Sequence, residues 1–289
     1  MLAEGPQGWA EWSPFSEYDA AESATWLKAG LEAAHDPWPS PLRARIPVNC
    51  TVPAVGPTAV QRMVEASGGC RTAKVKVAEH GQTLADDLAR VEAVADVLGA
   101  GGRVRVDANG GWSVDEAVDA IRALDRAAGG LEYVEQPCRT VEELAAVRRR
   151  LDVPIAADES IRRVEDPLRV RALDAADIAV LKVQPLGGVH ACLRIAERIG
   201  LPVVVSSALE TSVGIAAGLA LAAALPELPY ACGLNTLRLL DGGGDIAVVD
   251  GAMAVGRRDV RPGELVVQAD DALQARWAAR LARVQAVPV

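Results

Sequence analysis

Short apolar runs alternate with amphipathic segments along most of the chain. The amphipathic segments predict helices, the clearest of which places Leu84, Leu88, Val91, Ala95 and Leu98 on one face at steps of three and four. The apolar runs predict eight strands, at residues 48–54, 72–78, 103–108, 131–136, 153–159, 177–183, 202–207 and 231–235. Such alternation favours right-handed parallel crossovers, so the pattern predicts an α/β fold with a TIM-like (β/α) barrel.

The two ends of the chain depart from this rhythm. Residues 1–45 carry four of the six tryptophans and predict a strand at 8–12 and a helix at 19–34, with Asp19 as N-cap. From Gly242 onward the alternation is lost, and we expect 246–255 to pair with the N-terminal layer and 271–284 to form a terminal helix. The predicted organisation is a barrel at 46–240 and a small α+β capping domain from 1–45 and 241–289.

Composition narrows the class of protein. A chain of 289 residues accommodates one barrel of about 250 residues and a small appendage. The net charge of −9 disfavours nucleic acid and anionic lipid surfaces as partners. The most apolar stretch, at 213–225, is rich in Ala and Gly and predicts a buried helix rather than a membrane span. Five scattered cysteines without a CxxC pair indicate reduced thiols and a cytoplasmic protein.

Five charged residues close consecutive predicted strands: Lys76, Asp107, Glu135, Asp158 and Lys182. In a parallel barrel the C-terminal ends of the strands share one cavity, so these side chains are expected to meet there. Each acid alone is more simply explained as an ion pair or a helix cap, but three acids in register favour a metal site. All-oxygen ligands favour Mg2+ or Mn2+ over zinc.

Lys74 and Lys76 leave the same face of one strand and are expected to point into the barrel, although a KxK strand is more often an exposed edge. The second ammonium group and partial desolvation push a lysine toward the neutral form that a base requires. Lys182 would face the same cavity from across the metal as a cation. A base beside a metal-bound carboxylate removes the α-proton, which leads to racemisation or, with loss of a β-substituent, to elimination.

Other polar residues near the strand ends are weaker candidates. Asn109 and Glu159 are expected to support the metal ligands and Lys182, or else to cap helices. Ser206, Ser207 and Glu210 follow the seventh strand and are candidate contacts to a second anionic group of the substrate. Lys74 of the second strand is a further candidate for substrate binding.

Six motifs run in order over nearly the whole predicted barrel: TAKVKVA (72–78), VRVDANGGW (104–112), EYVEQP (132–137), PIAADES (154–160), AVLKVQPLGG (179–188) and VVVSSALETSVG (203–214). In these motifs and their order the sequence resembles the enolase superfamily and, within it, the actinobacterial o-succinylbenzoate synthase family. The resemblance implies Mg2+ held by Asp107, Glu135 and Asp158, with Lys76 as the acid/base and Lys182 as its counterpart.

The resemblance further implies a small-molecule carboxylate as the substrate. The family reaction is the dehydration of 2-succinyl-6-hydroxy-2,4-cyclohexadiene-1-carboxylate in menaquinone biosynthesis. Family members usually begin with further strands of the capping domain, whereas this chain starts close to the EGPQGWAEW segment that follows them. A start codon placed too late, or a curtailed lid, is therefore expected.

Three alternatives share parts of this pattern. An N-succinylamino acid racemase would use the same metal and lysine pair, whereas a dipeptide epimerase is disfavoured because its acidic DxD pair is replaced by CGLNT at 232–236. A lysine in a barrel could instead form a Schiff base, as in aldolases. The third alternative is a non-catalytic remnant of the family.

Overall fold

A computed structural model of the protein describes residues 1–161, 166–244, 246–257 and 270–287. An N-terminal layer comes first and consists of β1 (Leu2–Gly5), β2 (Gly8–Glu11) and α1 (Ala20–His35). The predicted strand and helix are confirmed, and so is the N-cap. The Asp19 carboxylate accepts a hydrogen bond from Glu22 N at 2.9 Å, and the Glu22 side chain accepts one from Asp19 N, which together form a capping box.

Eight parallel strands with intervening helices follow. The elements in chain order are β3 (Arg45–Val52), α2 (Pro57–Glu65), β4 (Thr72–Lys76), α3 (Leu84–Leu98), β5 (Arg103–Asp107), α4 (Val114–Ala128), β6 (Leu131–Glu135), α5 (Val141–Arg148), β7 (Ile155–Ala157), α6 (Asp166–Ala172), β8 (Ile178–Leu181), α7 (Val189–Ile199), β9 (Val203–Val205), α8 (Ser212–Ala224) and β10 (Cys232–Asn235). Strands β3 to β9 pair in chain order, and β10 pairs with β3. A parallel bridge between Ser206 and Gly233 joins the end of β9 to β10. The predicted TIM-like barrel is confirmed.

The core lies between the barrel strands and the surrounding helices. Val75, Val106 and Val134 of adjacent strands are fully buried within it. Helix α8 is buried along almost its whole length, as predicted for the most apolar stretch. No helix in the described part of the chain is both long and apolar enough to cross a membrane.

The expected pairing of 246–255 with the N-terminal layer is wrong. Two further strands, β11 (Val248–Val249) and β12 (Ala252–Ala254), form a hairpin, and β12 pairs antiparallel with the start of β3. Strand β3 begins at Arg45, three residues before the predicted strand, and so offers a backbone edge that the sequence pattern did not reveal. Met253 is fully buried at this contact.

The C-terminal helix α9 (Asp271–Gln285) is confirmed and packs against α1 of the N-terminal layer. Trp277 of this helix meets Trp12 edge-to-face, with ring centroids 5.5 Å apart. The division of the chain into 1–45, 46–240 and 241–289 stays a prediction.

Arg90 of α3 anchors the C-terminal end of β4. It is 1% exposed and donates hydrogen bonds to Lys76 O at 2.9 Å, Val55 O at 3.0 Å and the Asp87 carboxylate at 2.7 Å. Its remaining nitrogen donates to the Gln82 side chain. One buried guanidinium therefore satisfies the backbone at the ends of two neighbouring strands.

Replacing Arg90 by Met is expected to lower the free energy of unfolding by about 3 kcal/mol, because the buried Asp87 carboxylate and two backbone carbonyls would lose their donor. Urea unfolding followed by circular dichroism measures the change. Arg122→Met on the exposed face of α4 is the matched control and should stay within about 0.5 kcal/mol of wild type. Equal stability of the two variants would contradict the anchoring role.

Candidate active site

The register of the barrel brings the five strand-end residues to one face. Lys76, Asp107 and Glu135 end β4, β5 and β6, and Lys76 lies beside Asp107, which lies beside Glu135. Asp158 and Lys182 come one residue after β7 and β8. All five therefore lie at the C-terminal end of the barrel, where the active sites of this fold occur.

Lysine ammonium groups lie between the carboxylates. Lys76 Nζ is 2.6 Å from Asp107 Oδ2, and Lys182 Nζ is 2.6 Å from Asp158 Oδ2. Lys74 lies deeper in the barrel, with its Nζ 2.6 Å from Glu135 Oε1 and 3.0 Å from Asp107 Oδ2. Each carboxylate side chain is 1% exposed, whereas Lys76 retains 25% exposure. Lys76 is thus the most accessible group of the cluster.

Burial and charge set the electrostatics of this cluster. Burial raises the pKa of the Glu135 carboxyl, and the neighbouring Asp107 charge raises it further. Burial alone would raise the pKa of Asp107, but Lys74 and Lys76 outweigh it and hold that pKa far below its usual range. Burial would likewise lower the pKa of Lys74, but Asp107 and Glu135 hold it well above the usual value. Two carboxylates therefore outweigh burial and keep Lys74 in its charged form.

The three carboxylates form an all-oxygen donor set of the kind that hard divalent cations prefer. In the described ranges, no three His, Cys, Asp or Glu side chains converge closely enough to hold a metal ion. The ammonium groups of Lys74, Lys76 and Lys182 lie on the carboxylate oxygens instead. The chemistry and burial of the donors fit a divalent cation, and the assignment of the ligands stays a prediction.

Asn109 and Glu159 reach the cluster through Lys76. Asn109 Oδ1 accepts a hydrogen bond from Lys76 Nζ at 2.6 Å, and Asn109 Nδ2 donates to Glu159 Oε1 at 3.1 Å. Asn109 adopts a left-handed backbone conformation with φ of 46°, which Asn tolerates better than most residues. This turn brings the amide back over the strand end and orients the Lys76 ammonium group.

Gln136 positions Asp158, and the sequence analysis did not identify it. Its Oε1 accepts hydrogen bonds from Asp158 N at 3.0 Å and Ser160 N at 3.2 Å, and its Nε2 donates to Cys138 O at 2.9 Å. It is fully buried and has a positive φ of 40°. The available signal was a polar residue directly between a strand-end acid and a proline.

The loop after β9 holds its polar side chains in internal contacts. The hydroxyl groups of Ser207 and Thr236 are 2.7 Å apart, and Ser206 Oγ donates to Gly233 O at 3.4 Å. Glu210 is 3% exposed, and its carboxylate accepts a hydrogen bond from Ala208 N at 2.6 Å. Contact of Ser206, Ser207 and Glu210 with a substrate stays a prediction.

Two family models match the chain. The model described as Enolase C-terminal domain-like matches residues 57–272, and the model described as Enolase N-terminal domain-like matches residues 1–34. The longer match includes all five strand-end residues and spans more than half of the chain.

Individual relatives carry the name of one particular enzyme. The o-succinylbenzoate synthase of Thermobifida fusca is 63% identical over 99% of this chain and 90% of that protein. The protein of the same name from Mycolicibacterium smegmatis is 56% identical over 96% of this chain and 85% of its own length. Among solved structures, the L-Ala-D/L-Glu epimerase from Bacillus subtilis superposes with a TM-score of 0.71 at 27% identity, over 83% of this chain and 71% of that one.

The Glu210 carboxyl predicts a pH-dependent stability. Burial and the nearby Glu11 charge raise its pKa from 4.5 to about 7. Folding therefore favours the protonated form, so the stability associated with Glu210 is complete below pH 4.5 and is lost as the pH rises through 7. The free energy of unfolding of Glu210→Gln relative to that of wild type should therefore rise by about 2.5 kcal/mol between pH 5 and pH 8.

Urea unfolding at pH 5, 6, 7 and 8 measures this difference. Glu4→Gln, at an exposed position of β1, is the control and should differ from wild type by the same small amount at every pH. A pH-independent difference between Glu210→Gln and wild type would refute the raised pKa.

Proposed function

The chain belongs to the enolase superfamily, and we propose that it is a carbon–oxygen lyase that forms o-succinylbenzoate in menaquinone biosynthesis. The substrate would be 2-succinyl-6-hydroxy-2,4-cyclohexadiene-1-carboxylate, which loses water to give an aromatic ring. Relatives named for this activity cover almost the whole chain at 56–63% identity. The observation that carries the proposal is the placement of Lys76 and Lys182 on strands either side of three buried carboxylates.

Lys76 is the proposed acid/base. Its Nζ is the most accessible nitrogen of the cluster and is oriented by Asp107 Oδ2 and Asn109 Oδ1, each at 2.6 Å. In its neutral form it would take the proton α to the substrate carboxylate. The resulting ammonium group would then protonate the departing hydroxyl from the same face, so that water leaves and Lys76 returns to its starting form. One side chain would serve both proton transfers.

Lys182 is the proposed stabiliser of negative charge. It approaches from β8, on the opposite side of the acids from β4, and pairs with Asp158. An ammonium group fixed in a largely buried site stabilises the enediolate that forms when the α-proton leaves, because little solvent screens its charge. Lys74, held charged beneath Glu135 and Asp107, would keep the carboxylates together.

Enzymes of this superfamily use a divalent metal, and we propose that Asp107, Glu135 and Asp158 hold it here. The all-oxygen donors favour Mg2+, with Mn2+ as the alternative. When bound, the ion would supply Lewis-acid polarisation of the substrate carboxylate. Gln136 would fix the backbone of Asp158, and Asn109 with Glu159 would hold Lys76 relative to Asp107.

The proposed cellular location follows from the cysteine residues. All five cysteines are free and buried, and burial raises the pKa of Cys138 to about 12. Free thiols support a reduced protein and hence a cytoplasmic location.

Replacing Lys76 by Ala is expected to lower kcat for dehydration by at least about 100-fold, because the proposed base would be lost. Lys182→Ala should lower kcat to a similar extent through the loss of charge stabilisation. Formation of the aromatic ring is followed by ultraviolet absorbance. Lys28→Ala, at an exposed position of α1, is the matched lysine control and should retain wild-type kinetics.

A parallel assay by polarimetry with N-succinylamino acids separates dehydration from racemisation. Racemisation by the wild type without dehydration would replace the proposed function by the racemase. Loss of neither activity in Lys76→Ala would contradict the role of Lys76 in both reactions.

Removal of divalent metal with EDTA should abolish dehydration, and added Mg2+ should restore it. Borohydride treatment with substrate provides the opposing test, because a trapped lysine adduct in EDTA-treated protein would indicate Schiff-base chemistry. Mass spectrometry detects such an adduct. Undiminished turnover in EDTA would contradict the proposed metal site.

A further inference from the structure

Glu11, the last residue of β2, places its carboxylate at the start of barrel helix α8. It is 5% exposed and accepts hydrogen bonds from Thr211 Oγ1 at 2.6 Å, Thr211 N at 3.0 Å and Gly214 N at 3.0 Å. Its other oxygen accepts from Ser13 Oγ at 2.8 Å. A residue of the N-terminal layer thus satisfies the first turn of a helix that lies 200 residues later in the chain.

This contact is favourable for two physical reasons. The first N–H groups of a helix have no partner within the helix, and the helix dipole favours a negative charge at that end. Thr211 already caps α8 by accepting a hydrogen bond from Val213 N at 3.3 Å, and its hydroxyl proton then goes to Glu11. Glu11 and Thr211 therefore form a two-residue cap whose members come from different parts of the fold.

Glu32 of α1 makes the equivalent contact with the preceding barrel helix. Its Oε1 accepts hydrogen bonds from Val189 N at 2.6 Å and His190 N at 3.4 Å, at the start of α7. Gly188 permits this approach, because a Cβ at that position would lie 2.4 Å from Glu32 Oε2. Two glutamates of the N-terminal layer thus hold the starts of two consecutive helices.

The segments held in this way lead out of the active-site strands. The loop between β9 and α8 contains Ser206, Ser207 and Glu210, the proposed substrate contacts. The loop between β8 and α7 begins at Lys182 and contains Gln184, whose side chain accepts from Ser13 N at 3.1 Å and donates to Ser13 Oγ at 3.2 Å. The segment that carries Glu11 therefore contacts both loops.

We propose that Glu11 is a positioning residue for substrate binding, which sets the loop after β9 through Thr211 and Gly214. The inference rests on the proposed function for the identity of the substrate, but the loop contact itself does not depend on it. Lys76 lies on β4 and Lys182 directly after β8, outside this loop. Loss of the Glu11 contact should therefore weaken binding more than the chemical step.

Glu11→Gln is the first test, because it keeps the size of the side chain and removes its charge. The amide oxygen can still accept from Thr211 and Gly214, but without the charge that strengthens these hydrogen bonds, and the NH2 group replaces the oxygen that accepts from Ser13 Oγ. KM should rise about tenfold while kcat stays within about threefold of wild type. Glu4→Gln on the neighbouring strand β1 is the matched control and should leave both constants unchanged.

Thr211 provides a second pair of variants that act on the same contact from the barrel side. Thr211→Val removes the hydroxyl that bonds to Glu11 and should reproduce the rise in KM, whereas Thr211→Ser keeps the hydroxyl and should restore wild-type KM. The double variant Glu11→Gln with Thr211→Val should raise KM no more than the single variant with the higher KM, because both substitutions act on one shared interaction.

Hydrogen–deuterium exchange measures the loop without any substrate. Peptides that span 206–214 should exchange faster in Glu11→Gln than in wild type or Glu4→Gln, because the amides of Thr211 and Gly214 lose a charged acceptor and their hydrogen bonds weaken. Unchanged exchange together with an unchanged KM would overturn the proposal. A fall in kcat with an unchanged KM would also overturn the proposal, because that result would indicate a smaller fraction of folded enzyme rather than weaker binding.

Failure of the proposed function can be distinguished from failure of the positioning role of Glu11. If wild type does not dehydrate the proposed substrate, the lyase proposal fails, while the exchange comparison still decides whether Glu11 orders the loop. Accelerated exchange in Glu11→Gln but not in Glu4→Gln would then support the positioning role for whichever substrate the barrel accepts.

Discussion

The burial of three carboxylates at one end of the barrel is the constraint on which the site depends. An unpaired buried charge costs several kcal/mol, so these acids require positive charge within contact distance. Lys74, Lys76 and Lys182 provide it at 2.6–3.0 Å. Each buried acid thus has its charge compensated by at least one lysine ammonium group. Charge balance in this buried cluster thus involves the same residues to which we assign the proposed reaction.

The surrounding polar residues make this arrangement specific. Arg90 fixes the backbone carbonyl of Lys76, Asn109 fixes its ammonium group, and Gln136 fixes the backbone of Asp158. Deeper in the barrel, Arg105 is fully buried and donates to the Tyr133 hydroxyl at 3.1 Å. Tyr133 in turn belongs to a buried apolar cluster that includes Val180 and Val204.

Periodicity and residue chemistry identified the barrel and its charged strand ends, because both signals are local. In β4 the apolar residues Ala73 and Val75 alternate with Lys74 and Lys76. The partner of 246–255 was missed because short strands carry no information about which edge they join, and β3 exposes that edge only by beginning at Arg45. Glu11 escaped notice because its partners lie 200 residues away, and nothing near it in sequence predicts a helix start.

The pairing of β3 has a consequence for how the chain acquires its fold during synthesis. This first barrel strand bonds not only to β4 but also to β10 and β12, whose residues begin at Cys232 and Ala252. A nascent chain leaves the ribosome from the N-terminus, so most of the barrel is translated while one side of its first strand still lacks its neighbours. Such an unpaired edge invites association with other chains. The ring can close only after β10 has been translated, and the newborn protein is most vulnerable to aggregation until then.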